Sequence, residues 1–196
     1  MTREEVLPAL AEVFREHGYE GASLTLLGEA TGLGKGSLYH FFPGGKEEMV
    51  AAVLTDIDVW FETHVFGPLR SGEPERAITT MFDAVQRYFR SGRRVCLVGV
   101  LAVGNTRERF AAAVRSYFTR WIEALASTLR RAGQKRAAAS ALAEEVVGAI
   151  QGAIVLARAL DDEAAFNRAI ARLRKPLIPP RRGSGRTGRG ASRHAA

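Results

Sequence analysis

The stretch SLTLLGEATGLGKGSLYHFFPGGK, Ser23 to Lys46, decides how the rest of the chain is read. Ser23 suits an N-cap, because its hydroxyl can accept a hydrogen bond from an unpaired N–H of the first helical turn. Leu24, Leu27 and Thr31 follow at helical spacing. Gly32 can take the left-handed conformation that ends a helix without a Cβ penalty. Leu33 then turns back toward a small core. A second helix is predicted over about Lys35 to Phe41, with Leu38 and Phe41/Phe42 inward and Lys35, Ser37, Tyr39 and His40 outward. Pro43-Gly44-Gly45 stops it. Two short helices at a steep angle with glycine in the turn form a helix-turn-helix, whose second helix enters the DNA major groove. A helical hairpin inside an ordinary core has the same outline.

Upstream of this stretch, Thr2 and Glu5 fit a capping box that opens a first helix. Val6, Leu10, Val13 and Phe14 form its apolar stripe, and Gly18 ends it. Pro8 should bend this helix slightly or mark a later start. Downstream, a helix from near Gly45 to about Phe66 carries Met49, Val50, Val53, Leu54, Ile57, Trp60, Phe61 and His64, and Gly67-Pro68 should terminate it. Its length, roughly 30 Å, is enough to connect two layers of structure. Further helices are expected from Glu73 to about Arg90, Arg107 to Ala132, Ala137 to Leu160 and Glu163 to about Arg174. Asn105 and Glu108 suggest a cap for the second of these, and Gly133 ends it. The apolar run Val95 to Val103 fits a buried helix or a strand, and its helical neighbours favour helix. From Pro176 onward the chain is rich in Pro, Gly, Ser and Arg and is expected to be a disordered basic tail.

A hydrophobic content of 46% over 196 residues, without alternating β-branched runs, indicates a soluble, mostly helical protein. No apolar run approaches the ~18–20 residues of a membrane span, and the N-terminus lacks the order of a signal peptide, so a cytoplasmic location is expected. The net charge of +7 is misleading as a sign of nucleic-acid binding. In residues 1–50, Arg3, Arg15, Lys35 and Lys46 face Glu4, Glu5, Glu12, Glu16, Glu20, Glu29, Glu47 and Glu48, whereas residues 176–196 hold arginines and no acid. A claim on DNA must therefore rest on local surface and motif.

The residues go further than this geometry. Gly18-Tyr19, Ser23-Leu24, Gly32-Leu33, Lys35-Gly36-Ser37-Leu38-Tyr39 and Phe42-Pro43 followed by Lys46-Glu47 closely resemble the signature of TetR-type regulators. Gly28 and Thr31 stand where that family usually has alanine, and Gly34 where it usually has a serine cap. The extra glycine in Pro43-Gly44-Gly45-Lys46 resembles the LmrA-type branch. The resemblance implies an all-α fold with an N-terminal three-helix helix-turn-helix head (residues 1–46), a C-terminal helical ligand-binding and dimerisation domain (47–175) and the tail (176–196). It further implies a homodimer on a palindromic operator, a repressor more often than not, released by a small molecule.

Candidate DNA contacts are Ser23, Thr25, Lys35, Gly36, Ser37, Tyr39, His40 and Lys46. Lys can donate to guanine O6/N7 and Ser can bond either way, while Gly36 lets the backbone approach. Tyr39 and Lys46 match family positions that contact phosphates. By the same resemblance an effector cavity is expected among Trp60, Phe61, His64, Phe82, Phe89, Phe110, Tyr117, Trp121 and Gln151, with Asn105 and Arg158 as further polar candidates. An apolar, ring-lined cleft suits a hydrophobic ligand, although most of these rings equally suit plain core packing. The dimer interface is expected on Ala149, Gly152, Ala153, Leu156 and Phe166, where small residues allow close helix approach. Cys96 is expected to be a buried, inert thiol, with a redox sensor activated by Arg93 and Arg94 as the alternative. No cofactor, metal site or catalytic constellation is expected. The rival readings are an all-helical small-molecule-binding enzyme and an adaptor that does not act on DNA.

Overall fold

The structure, a computed structural model, describes residues 2–105 and 107–177, and among these there are helices and no strand. Helix α1 (Arg3–Gly21) opens on the expected capping box: the Glu5 N–H donates to Thr2 Oγ1 at 3.3 Å and the Thr2 N–H to the Glu5 carboxylate at 2.6 Å. It starts ahead of Pro8 and runs through it. Gly18 breaks the regular spiral at φ 65, but a further turn reaches Gly21. Helix α2 (Leu24–Thr31) is capped by Ser23, whose Oγ accepts from the Leu26 N–H at 3.2 Å, and ends on Gly32 at φ 69. Helix α3 (Lys35–Phe41) has no side-chain cap, as Gly34 dictates.

Two departures from the usual alanines acquire physical reasons here. A Cβ on Gly28 would lie 2.8 Å from the Leu33 carbonyl oxygen, so the turn from α2 to α3 folds tightly onto α2. Thr31 is buried, and its hydroxyl donates back to the Leu27 carbonyl at 2.7 Å. The head core consists of Leu10, Phe14, Leu27, Leu38 and Phe42 together with Met49 of α4 (Gly45–Phe61), all fully buried. The expected head boundary at residue 46 thus falls in the first turn of α4.

Gly67-Pro68 does not end the connecting helix. After Phe61 the backbone widens into a π-turn (Glu62–Phe66) and continues as α5 (Gly67–Ser71). The Gly67 N–H donates to the Glu62 carbonyl, and a Cβ on Gly67 would sit 2.8 Å from that oxygen. Pro68 is tolerated because it stands at the start of α5, where its missing N–H costs little. Arg70 and Arg120 both hold the Glu62 carboxylate across this turn. Burial pushes the Glu62 carboxyl up, but the hydrogen bonds from Arg120 and Arg70 outweigh it and leave the group below its ordinary value.

The body continues with α6 (Pro74–Tyr88), capped by Glu73, and the sharp corner Arg90–Gly92. Gly92 has φ 91, and a Cβ there would meet Ala157 at 2.7 Å and Phe166 at 3.0 Å. The run 95–103 contains helix α7 (Leu97–Val103), capped by the Cys96 thiol, which accepts from the Gly99 N–H at 3.4 Å. The cap expected at Asn105 and Glu108 does not open the next long helix. A 3₁₀ turn (Arg107–Phe110) precedes α8 (Ala111–Arg131), whose N-cap position is Phe110 without a side-chain bond.

Helices α9 (Arg136–Ala159) and α10 (Glu163–Leu177) pack on each other, and α9 lies along α8. Pro176 and Leu177, expected in the tail, complete α10, and Leu177 is buried. The tail from residue 178 lies outside the described residues. By length and composition α9 alone among the described helices is apolar enough to cross a membrane, contrary to expectation, because Ala and Gly extend its apolar character between Val and Ile. In this fold one side of it is buried against α8 and α10.

Candidate nucleic-acid interface

Helix α3 is divided cleanly by burial. Leu38 and the following Phe42 are fully buried, while Lys35, Gly36, Ser37, Tyr39 and His40 are exposed. Ser23 and Thr25, at the start of α2, are exposed as well. Tyr39 lies next to the start of α4, its ring 3.5 Å from where a Cβ on Gly45 would be. Lys46 is half-buried: its ammonium sits 4.6 Å from the Tyr19 ring centre and donates to the Glu20 carbonyl at 3.5 Å. That contact restrains a long side chain beside α3 and lowers the entropy lost when it meets a ligand. Every sequence-predicted DNA candidate thus has solvent access.

The acidity of residues 1–50 is partly cancelled in three dimensions. Glu48 pairs with Arg3 at 2.7 Å, Glu47 with Arg109 at 2.8 Å, and Glu12 with Arg15 and Arg94 at 3.0 and 2.8 Å. Arg94 and Arg109 come from the body, so counting charge along the head segment alone exaggerates its negative sign. Glu29 on α2, with Glu16 and Glu20 on α1, stays exposed.

The expected effector residues separate into two groups. Phe61, Phe82, Phe89 and Trp121 are fully buried. Phe61 is the hub: its ring lies within 4.8–6.2 Å of Trp60, Phe66, Tyr88, Phe89, Tyr117 and Trp121. His64 stacks on Trp60 at 4.4 Å, and its Nδ1 lies 2.8 Å from the Trp60 carbonyl. These rings fill their own space and pack the core. Phe110 and Tyr117, by contrast, line a cavity of about 440 Å³ between α4, α7 and α8, with Leu54, Thr55, Asp58 and Ser116. Thr55, Asp58 and Ser116 were missed in sequence. The available signal was their place on the polar flank of otherwise apolar helices.

Near this cavity two interior groups have unused bonding capacity. The Tyr117 hydroxyl, beside the Cys96 thiol, has no well-formed partner, and neither has Gln151 Nε2. Burial drives the Tyr117 phenol well up in pKa and the Cys96 thiol up as well. Burial thus favours the neutral thiol at Cys96. Asn105 and Arg158 are exposed, Asn105 just beyond α7 and Arg158 near the C-terminal end of α9.

Of the expected dimer residues, Gly152 and Leu156 are exposed, whereas two others are not available on the surface of the protomer. Ala153 and Phe166 face inward, at 3% and 0% exposure, because Phe166 packs against Gly92 and Ala157 at the corner after α6. Ala149 is half-buried. The free apolar face of α9 joins Gly152 and Leu156 with Gly148 and Val155, continued by Leu160, with Val155, Leu156 and Leu160 at 58–66% exposure.

Residues 6–53 match the model of bacterial regulatory proteins of the tetR family, and residues 74–172 match the C-terminal domain of LmrA/YxaF-like transcriptional regulators. The chain is 25% identical over 160 residues to the HTH-type transcriptional regulator LmrA of Bacillus subtilis, covering 79% of this chain and 85% of that one. It is 44% identical over 55 residues to the HTH-type transcriptional repressor AcnR of Corynebacterium glutamicum, a match that spans 28% of this chain and 29% of that protein. A TetR transcriptional regulator of Legionella pneumophila shares the fold, with a TM-score of 0.77 at 21% identity over 88% of this chain and 95% of that one. With both halves matched in order, and the helix-turn-helix exposing its second helix, the chain belongs to the TetR family of transcriptional regulators, in its LmrA/YxaF-like branch.

Proposed function

We propose that this chain is a dimeric, cytoplasmic repressor that holds a palindromic operator through α3 and releases it when a hydrophobic small molecule enters the cavity between α4, α7 and α8. The observation that carries the DNA part is the division of α3, with its apolar residues spent on a small core and Lys35, Ser37, Tyr39 and His40 left to solvent. Lys35, Ser37 and His40 are assigned to base edges and Tyr39 and Lys46 to phosphates, with Ser23 and Thr25 as further backbone contacts. Residues 1–46 form the DNA-binding unit and 47–175 the effector and dimer unit. The apolar face of α9 around Gly152 and Leu156 (with α10 beside it) meets its symmetry mate in a four-helix arrangement.

The coupling element is α4. Lys46 at its start borders α3, and Leu54, Thr55 and Asp58 further along line the cavity. A ligand there touches α4 about 12–18 Å from Lys46 at the usual helical rise. Its preference for one tilt of α4 sets the separation of the two α3 helices, which must match about one turn of DNA or a multiple. The ligand is apolar in its bulk and offers a polar group to Thr55 or Ser116.

The test is a gel shift on DNA upstream of the protein's own gene, repeated with compounds that raise its melting temperature. A retarded band abolished by one of those compounds supports the proposal. Failure to retard that DNA or any operator from a random pool removes the DNA role. Release that persists unchanged in Ser116→Leu, a variant that fills the cavity, moves the effector elsewhere.

A further inference from the structure

Where α1 meets the segment leading into α7, two guanidinium groups close on one carboxylate. Arg15 of α1 is only 8% exposed; its Nη1 donates to Glu12 Oε1 at 3.0 Å and its Nη2 to the Tyr88 hydroxyl at 2.9 Å. Arg94 arrives from the body, with Nη2 2.8 Å from the same Glu12 oxygen and Nη1 donating to the Tyr88 carbonyl at 3.3 Å. Both guanidiniums lie over the Tyr88 ring, at 5.8 and 5.4 Å from its centre. One carboxylate oxygen thus serves two cations. The Nε groups of Arg15 and Arg94 are buried without an acceptor, an arrangement native interiors avoid. Burial, reinforced by the charge of Arg15, also lowers the pKa of Arg94.

A cavity of about 250 Å³ opens beside this cluster, walled by Arg15, Arg93, Arg94 and Arg158 with Glu12 and Glu16. Arg93 is paired with Glu163, and Arg158 donates to the Arg93 carbonyl at 2.9 Å. The space falls below the ~300–1,000 Å³ usual for drug-sized ligands but exceeds the ~30 Å³ share of a single water. Its size and charge fit a small anion with several acceptor oxygens, the group that planar guanidinium forks bind best.

We propose that this cavity binds a compact oxyanion, a phosphate or a small carboxylate, at the junction of head and body. Arg15 and Glu12 belong to α1, whereas Arg93, Arg94 and Arg158 belong to the body, so an anion held by both sets fixes the head against the body. This site is distinct from the apolar cavity between α4, α7 and α8, and shares none of its lining residues.

Inorganic phosphate, acetate and succinate are titrated separately into the full chain by calorimetry, at constant ionic strength balanced with chloride. Saturable binding of one ion per protomer is expected for at least one of them, and which one answers identifies phosphate or carboxylate as the ligand. Arg158→Gln, at an exposed position that leaves the fold intact, and Arg94→Gln should each weaken that binding at least tenfold, while Lys46→Ala should not. Melting curves establish that each variant is folded. Absence of saturable binding by all three ions overturns the proposal. So does equal binding by parent, Arg94→Gln and Arg158→Gln, or a loss confined to Lys46→Ala, which would put the anion on the DNA-facing surface.

Discussion

The head and the body use apolar residues in opposite ways. In the head, a few large side chains, chiefly Phe14, Leu27, Leu38 and Phe42, hold two short helices against the longer α1, and most of the α3 surface stays in water. In the body, rings stack on rings: Phe61 alone meets six others, and Trp121 adds a contact from its Nε1 to Met81 Sδ at 3.5 Å. The head therefore exposes the residues proposed to meet DNA on a thin support. The body has a dense core and places its cavity at the margin of that core. A surface that must meet DNA leaves its polar residues in a fixed sequence pattern. A cavity depends on which of many similar apolar residues happen not to touch.

That contrast is open to direct attack. The largest effect should come from Phe61→Ala, which removes the hub of the ring cluster. Aromatic truncations in cores cost ~3–5 kcal/mol, and chemical denaturation should show a loss in that range. A loss well under 1 kcal/mol would mean the rings surround a cavity after all. Gly152→Trp comes next. Nothing in the protomer lies within 4 Å of a Cβ there, so the subunit should fold normally while its apolar face is blocked. Overpacking where the two subunits meet costs about 1–3 kcal/mol per inserted side chain, and sedimentation should shift from dimer to monomer at micromolar concentration. An unchanged dimer would move the interface off α9.

Gly28→Ala sharpens the account of the head. Helix propensity alone favours alanine by about 1 kcal/mol. The Leu33 carbonyl, 2.8 Å from the new Cβ, should reverse that sign. The expected net destabilisation is about 1–2 kcal/mol, within the range for overpacking. A stabilised variant would mean that the turn relaxes freely. The smallest effect concerns Glu62, whose folded pKa is held below the ordinary 4.5. A depressed carboxylate stabilises the fold above its unfolded pKa, and that contribution is lost as pH falls through the folded value. The parent should therefore outlast Glu62→Gln slightly in melting temperature at neutral pH, with the gap closing below about pH 4.5. A gap that is constant with pH would remove the arginine pairing as its cause.

The helix-turn-helix was legible almost residue by residue, because N-caps, left-handed glycines and short apolar spacings are local rules. Thr2, Ser23 and Gly32 obey them as expected. The π-turn at Glu62–Phe66 was not legible, since the groups that hold it, Arg70 and Arg120 on Glu62, include one from α8, far along the chain. Gly67-Pro68 looked like a stop signal because the sequence does not reveal that a widened turn would realign the backbone ahead of the proline. That Ala153 and Phe166 are buried within the protomer was hidden for a similar reason: helical period locates a face but not its partner. Arg15 carried no signal of burial, as only the fold brings Tyr88 and Arg94 to it. The cavity required knowing that Phe110 and Tyr117, but not Phe61 or Trp121, border open space.

The most direct test of the central claim, that α3 reads DNA for a dimer, is selection of bound sequences from a random duplex pool by the parent and by Lys35→Ala. The parent should enrich a palindrome whose half-sites lie about 10 base pairs apart, or a multiple of that, as two-fold docking in successive major grooves requires. Lys35→Ala should enrich the same spacing but lose preference at one base position in each half-site, worth ~1–3 kcal/mol of discrimination. A pool that yields no palindrome, or the same base preferences from both proteins, would contradict the assignment of α3 as the element that reads the operator.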